Sequence, residues 1–149
     1  MVRSSATNIL GSATNDYLTF TANQVTRYFN NFSSSSVYLL LANSNESVVE
    51  VSYGPTNDEA AVIVKNLTGS YYQLLYLLNG SKITTITLPV LISANFTKSQ
   101  SYSGSLYLLF EAKLLIYSFD SALTLKKTIS FTNPSAVRFS VNSSLLVYS

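Results

Sequence analysis

Seven carboxylates, at Asp16, Glu46, Glu50, Asp58, Glu59, Glu111 and Asp120, are the main stock for acid–base chemistry in this sequence, which has no histidine and no cysteine. The missing residue types remove the commonest general base, thiol nucleophiles and nearly all zinc sites. A pair of carboxylates at a defined separation could cleave a glycosidic bond. Most of the seven fall in predicted turns, however, where the simplest role is a solvated loop acid. Asn57-Asp58-Glu59 offers oxygen ligands to a hard cation but lacks the spacing of any calcium loop. No G-x-G-x-x-G, Walker or G-x-S-x-G pattern occurs. The residues point to a chain that is not an enzyme and holds no metal and no cofactor.

A second chemistry is covalent attachment of sugar. Six N-x-S/T triplets begin at Asn31, Asn45, Asn66, Asn79, Asn95 and Asn142, none with Pro in the middle. Four of them (Asn31, Asn66, Asn95, Asn142) lie between one predicted strand and the next apolar strand, and Asn45 and Asn79 lie in the turn that follows. N-linked glycans are therefore expected. A third resource is tyrosine, present in 11 copies. Tyr71, Tyr72, Tyr102 and Tyr107 could act as stacking platforms for cell-surface carbohydrate, since each ring pairs a flat apolar face with a polar tip. The competing role is that of half-buried strand residues.

Charged residues are 11% of the chain, against about 25% in ordinary domains. Ser, Thr, Asn and Tyr must cover the surface instead, and glycans or burial in an assembly would supply the missing solubility. The net charge is +2, with basic residues spread singly apart from Lys126-Lys127. No basic stripe exists, so nucleic acid is excluded as a partner. No run approaches the roughly 20 apolar residues of a membrane-spanning helix. The opening residues show no apolar signal core, which fits a processed fragment, a virion protein or unused sequons.

The elements that position these residues read almost entirely as strand. Residues 1–16 are polar and are expected to form an N-terminal arm; residues 17–149 are expected to form a single all-β domain. β-branched and aromatic runs punctuated by Gly, Asn, Ser and Pro predict strands over 17–21, 25–29, 37–41, 48–53, 61–65, 71–78, 82–88, 90–96, 106–110, 114–119, 123–131, 137–140 and 145–148. An apolar run recurs at Val37–Leu41, Leu74–Leu78, Leu106–Phe110 and Leu145–Tyr148. Each follows a sequon, at spacings of 35, 29 and 47 residues. Arg27-Tyr-x-x-Asn31 and Arg138-Phe-x-x-Asn142 repeat a finer pattern. Self-similarity on this scale predicts a propeller or stacked array of antiparallel strands; a β-sandwich or jelly roll is the alternative.

The segment Ala136-Val-Arg-Phe-Ser-Val-Asn-Ser-Ser-Leu-Leu-Val-Tyr-Ser149 resembles the first two strands of a blade in WD-repeat and related β-propellers. Residues 105–131, with Leu106–Phe131 as their strands, resemble the rest of a blade. The resemblance implies a propeller of three to four blades, with about three and a half units in this chain.

The functional expectation is a structural, non-enzymatic surface protein. It would be a glycosylated subunit of an extracellular filament, an envelope layer or a virion tail or spike, with an archaeal flavour from composition alone. It would self-associate or bind other envelope or virion proteins, and the uncharged run Tyr71–Leu78 or the N-terminal arm could recruit a neighbour by strand addition. The alternative is a carbohydrate-binding adhesion module.

Overall fold

The computed structural model describes residues 8–11, 17–29, 34–56, 58–132, 137–142 and 144–148. All regular structure in them is antiparallel strand. Blade 1 comprises β1 (Asn8–Gly11), β2 (Tyr17–Phe20), β3 (Gln24–Phe29) and β4 (Ser34–Leu40). Blade 2 comprises β5 (Glu46–Tyr53), β6 (Glu59–Asn66), β7 (Tyr71–Leu78) and β8 (Ser81–Thr87). Blade 3 comprises β9 (Phe96–Tyr102), β10 (Ser105–Phe110), β11 (Lys113–Ser118) and β12 (Leu125–Ser130). A hairpin of β13 (Arg138–Val141) and β14 (Leu145–Tyr148) begins a fourth. Every sheet is a meander in sequence order.

The meanders stack through their first strands: β1 lies beside β5, β5 beside β9 and β9 beside β13. The side chain of Lys98 donates to the carbonyl of Phe139 at 3.0 Å, and that of Gln100 donates to the carbonyl of Val141 at 2.8 Å. Both partners advance by two residues in the same sense, so β9 and β13 run parallel. First strands running side by side, each leading outward into its own meander, are the arrangement of a propeller-like array.

The hydrophobic cores lie between blades. On β6, Ala60, Val62 and Val64 join Leu18, Phe20, Val25 and Tyr38 of blade 1, while Ala61 and Ile63 face Leu106, Leu108 and Phe110 of blade 3. The alternation repeats on β11: Leu115 and Tyr117 pack toward blade 2, Leu114 and Ile116 toward Val137, Phe139 and Val141. A middle strand buried on both faces must be apolar at consecutive positions, as β6, β7, β10 and β11 are. The outermost strands β8 and β12 are largely exposed and carry Lys82, Lys126 and Lys127, charges that discourage edge pairing. Two-residue turns close β7–β8 and β9–β10. Asn79-Gly80 has φ of 51° and 83°, and Ser103-Gly104 has 49° and 77°. This is the left-handed pair that a tight hairpin needs.

Several expectations change. Residues 90–95 form the link between blades 2 and 3, and the strand there is β9, a polar run without the apolar alternation that marks a half-buried strand. Within the segment read as an arm, Asn8–Gly11 pairs with β2 as β1. The four apolar runs are not equivalent: they fall on β4, β7, β10 and β14, which are the fourth, third, second and second strands of their blades. Arg27 and Arg138 likewise sit on a third and a first strand. Apolar strength tracks burial on two faces, which several positions in a blade satisfy. The blade resemblance over 136–149 falls on β13 and β14, a first and second strand, and that over 105–131 falls on the second to fourth strands of blade 3.

Candidate functional site

The meander topology gives the array two ends. At the leading end the first strand of each blade begins and the β6–β7 and β10–β11 turns lie; at the trailing end the first strands finish and the β5–β6, β7–β8, β9–β10 and β11–β12 turns lie. Backbone bonds join the turns at each end. Leu67 N donates to Asn45 O at 3.0 Å and Glu111 N to Asn95 O at 3.1 Å at the leading end, and Asn79 N donates to Asp58 O at 2.7 Å at the trailing end.

The carboxylates do not converge. Among the described residues no three acids come together in a way that could hold a metal ion. Asp58 pairs at 3.6 Å with the buried Arg27. Burial, reinforced by the neighbouring Glu59 carboxylate, pushes the Tyr76 phenol up. Asn57 and Asp16 lie outside the described residues. Glu50, half-buried on β5, has its carboxyl pushed up by burial, partly offset by the Val51 N–H. Asp120 sits in the β11–β12 turn. One of its oxygens accepts from Ala122 N at 2.9 Å, Ser118 Oγ at 3.1 Å and Leu123 N at 3.2 Å. These bonds, with the Ala122 N–H first, hold its carboxyl below the usual range. They also hold Leu123 in a positive-φ conformation of 48° with its side chain buried against blade 2.

The tyrosines divide by environment. Tyr72 is buried between blades 2 and 3, donates to Ala94 O at 2.8 Å, and meets Phe110 edge-on with centroids 5.0 Å apart. Tyr107 packs on Phe139 at 6.2 Å. Tyr71 is half-buried, its hydroxyl accepting from Asn66 Nδ2 at 3.3 Å. Tyr72 is thus part of the blade 2–blade 3 core, and Tyr107 is half-buried against the cluster around Phe139. Only Tyr102 of the four is exposed, on the wall of a trailing-end cavity of about 240 Å³ that it shares with Gly54, Pro55, Ser101, Ser105 and Phe119.

Five of the sequon asparagines lie in the described residues, and Asn31 lies outside them. Asn45, Asn66 and Asn95 are at the leading end; Asn79 and Asn142 are at the trailing end. Asn66 Oδ1 accepts from Gly69 N at 2.8 Å, and its Nδ2 is the donor to Tyr71. Asn95 Nδ2 donates to Glu111 Oε1 at 2.8 Å.

The sequence reading missed the surface at the leading end. Leu91, Leu67 and Leu40 are the most exposed large apolar side chains among the described residues, at 76%, 60% and 63%. They sit on the link between blades 2 and 3, on the β6–β7 turn and at the end of β4, respectively. Leu91 also borders an apolar cavity of about 220 Å³ lined by Val90, Ala94, Phe110 and Ala112. The signal in the sequence was leucine in a turn or link, at Leu67 and Leu91, where polar residues are the rule.

No family model matches the sequence, and no curated protein matches it. Solved structures do match. A prolyl endopeptidase structure aligns with a TM-score of 0.60 at 11% identity, covering 89% of this chain and 21% of that one. A chain of the mitotic checkpoint complex aligns with a TM-score of 0.63 at 10% identity, covering 91% of this chain and 44% of that one. The chain therefore spans less than half the length of either. At such identity the likeness shows the fold alone, an all-β antiparallel repeat compatible with a propeller-like array. Among the described residues no helix is long and apolar enough to cross a membrane.

Proposed function

We propose that this chain is a non-enzymatic structural subunit of an extracellular, N-glycosylated assembly: a filament, an envelope layer or a virion tail or spike. It acts there as a propeller-like scaffold that meets protein neighbours, including copies of itself, through its leading end. The observation that carries this reading is that Leu40, Leu67 and Leu91, the most exposed large apolar side chains among the described residues, all fall at that end. Exposed aliphatic side chains cost solubility unless a partner covers them, and a chain with only 11% charged residues has little to offset them. The scattered carboxylates support a role outside catalysis.

Electron microscopy of native material tests the reading. An ordered assembly with the leading end at subunit contacts is expected, and L40D/L67D/L91D should dissociate it while leaving the far-ultraviolet dichroism unchanged. A discrete monomer from the native source, or an assembly indifferent to the triple substitution, would overturn it.

Tyr102 favours a second reading, a carbohydrate-binding adhesion module with its site in the serine-lined trailing cavity. A glycan array that stays at background, or a signal that survives Tyr102→Ala, removes it.

A further inference from the structure

We infer that glycosylation of the folded chain is confined to the trailing end, at Asn79 and Asn142, and that Asn45, Asn66 and Asn95 at the leading end stay bare. The inference rests on the extracellular reading above and adds a polarity to it, with sugar at one end and protein contact at the other.

The chemistry sets two requirements. Transfer forms a bond between asparagine Nδ2 and C1 of the sugar of a glycosyl pyrophosphate donor. The C1–O bond breaks, the pyrophosphate leaves with the electron pair, and an Nδ2 proton passes to a carboxylate of the separate transferase. The acceptor amide must therefore be free to enter a foreign active site, and so must the hydroxyl two residues on, which the sequon contributes to recognition. An asparagine amide has two N–H donors, and one already held within the fold has to be released first.

Asn79 and Asn142 meet both requirements. Both are exposed, no side-chain bond engages either amide among the described residues, and Ser81 and Ser144 are exposed. Asn79 is also the first residue of a two-residue hairpin, with φ of 51°, which projects it from the tip of blade 2. The leading-end sequons each fail one requirement. Asn95 Nδ2 is held by a charge-assisted bond to Glu111. Asn66 is half-buried and bonded at both side-chain atoms, to Gly69 and Tyr71. Asn45 has a free amide, but its hydroxyl partner Ser47 is half-buried in β5 opposite Lys65. The same end carries the exposed leucines, so its bare surface is the one available for protein contact.

The test incubates the full unglycosylated chain with a purified oligosaccharyltransferase and its lipid-pyrophosphate-linked oligosaccharide, alongside short synthetic peptides spanning the five sequons. Occupancy at each site is read by peptide mass spectrometry and divided by that of the matching peptide. Asn79 and Asn142 are expected to exceed each leading-end site at least tenfold in this ratio. Equal ratios, or a preference for Asn66 or Asn95, overturn the inference. Glu111→Ala frees the Asn95 amide and is expected to raise its ratio severalfold; no change overturns the assigned cause at that site. Bare asparagines on native material, with the in vitro pattern as expected, would instead sink the extracellular reading and leave the site assignment standing.

Discussion

Gln100 and Val141 exchange two hydrogen bonds: Gln100 Nε2 donates to Val141 O at 2.8 Å, and Val141 N donates to Gln100 Oε1 at 3.3 Å. A side-chain amide here does the work of a backbone peptide. It supplies the ladder that the parallel first strands β9 and β13 do not form with each other. Gln100→Ala is expected to destabilise the β13–β14 hairpin by about 1–3 kcal/mol, two neutral bonds at roughly 0.5–1.5 kcal/mol each. Amide exchange at Val141 should accelerate while that at Val62 stays unchanged. Equal acceleration at both residues would show that the bond does not act locally.

Arg27 ties blade 1 to blade 2. Its guanidinium donates to the Tyr38 hydroxyl, lies 4.6 Å from the Phe29 ring centroid and pairs with Asp58 across the blade boundary. The cation is buried but the Asp58 side chain is 63% exposed, so removing either partner has unequal effects. Arg27→Met should cost about 2–3 kcal/mol in urea denaturation, through an unsatisfied Tyr38 hydroxyl and lost packing. Asp58→Asn should cost at most about 1 kcal/mol, as for a solvated ion pair. A reversed order would mean that the carboxylate, rather than the aromatic and hydroxyl contacts, holds the cation.

Phe110 is fully buried where Tyr72 and Phe96 both meet it edge-on, at 5.0 and 5.5 Å. Phe110→Ala is expected to lose about 3–5 kcal/mol and Phe110→Leu less than about 1.5 kcal/mol. Calorimetry on both variants checks this, and similar losses would show that ring geometry rather than volume governs the blade 2–blade 3 core.

Two carboxylates predict opposite pH trends. The Asp120 carboxyl is held low by its turn bonds, so its contribution is present above the ordinary value of 3.8 and is lost as pH falls through the depressed folded value. The melting deficit of Asp120→Asn should therefore be present at pH 7 and shrink below about pH 4. The Glu50 carboxyl is raised by burial, so its ionisation costs stability as pH climbs from below 4.5 through the raised folded value. Glu50→Gln should melt higher than the parent at pH 7 and converge with it in acid. A melting deficit for Glu50→Gln at pH 7 would reverse the assigned sign.

The middle strands were legible in the sequence because burial on two faces leaves an uninterrupted apolar run, as in Leu74–Leu78. Strand β9 was not, since its inner position is satisfied by polar contacts such as Ser52 Oγ to Ser99 Oγ at 2.8 Å and Gln100 to Val141, which leave no hydrophobic period. The repeat register was misjudged for the same reason. The positionally equivalent first strands differ in character, from the valine-bearing β5 to the polar β9, and the conspicuous apolar runs occupy different ranks in their blades. The sequons were plain as triplets, but the side-chain bonds that engage their amides come from outside the triplet, from Glu111 for Asn95 across the β9–β10–β11 meander and from Tyr71 beyond the β6–β7 turn for Asn66.

Placing every core between two blades makes the chain behave like a row of coupled units, in which each unit's opening is governed by its immediate neighbours. Blade 2 is clamped on both faces, by the clusters it shares with blades 1 and 3. Blade 3 is clamped likewise, by blade 2 and by the β13–β14 hairpin. Opening either middle blade therefore dissolves two interfaces, while releasing the hairpin dissolves one. Protection against solvent exchange should fall away from the middle of the row in steps rather than vanish in one event, and a local loss at one end of the row can leave the interior standing.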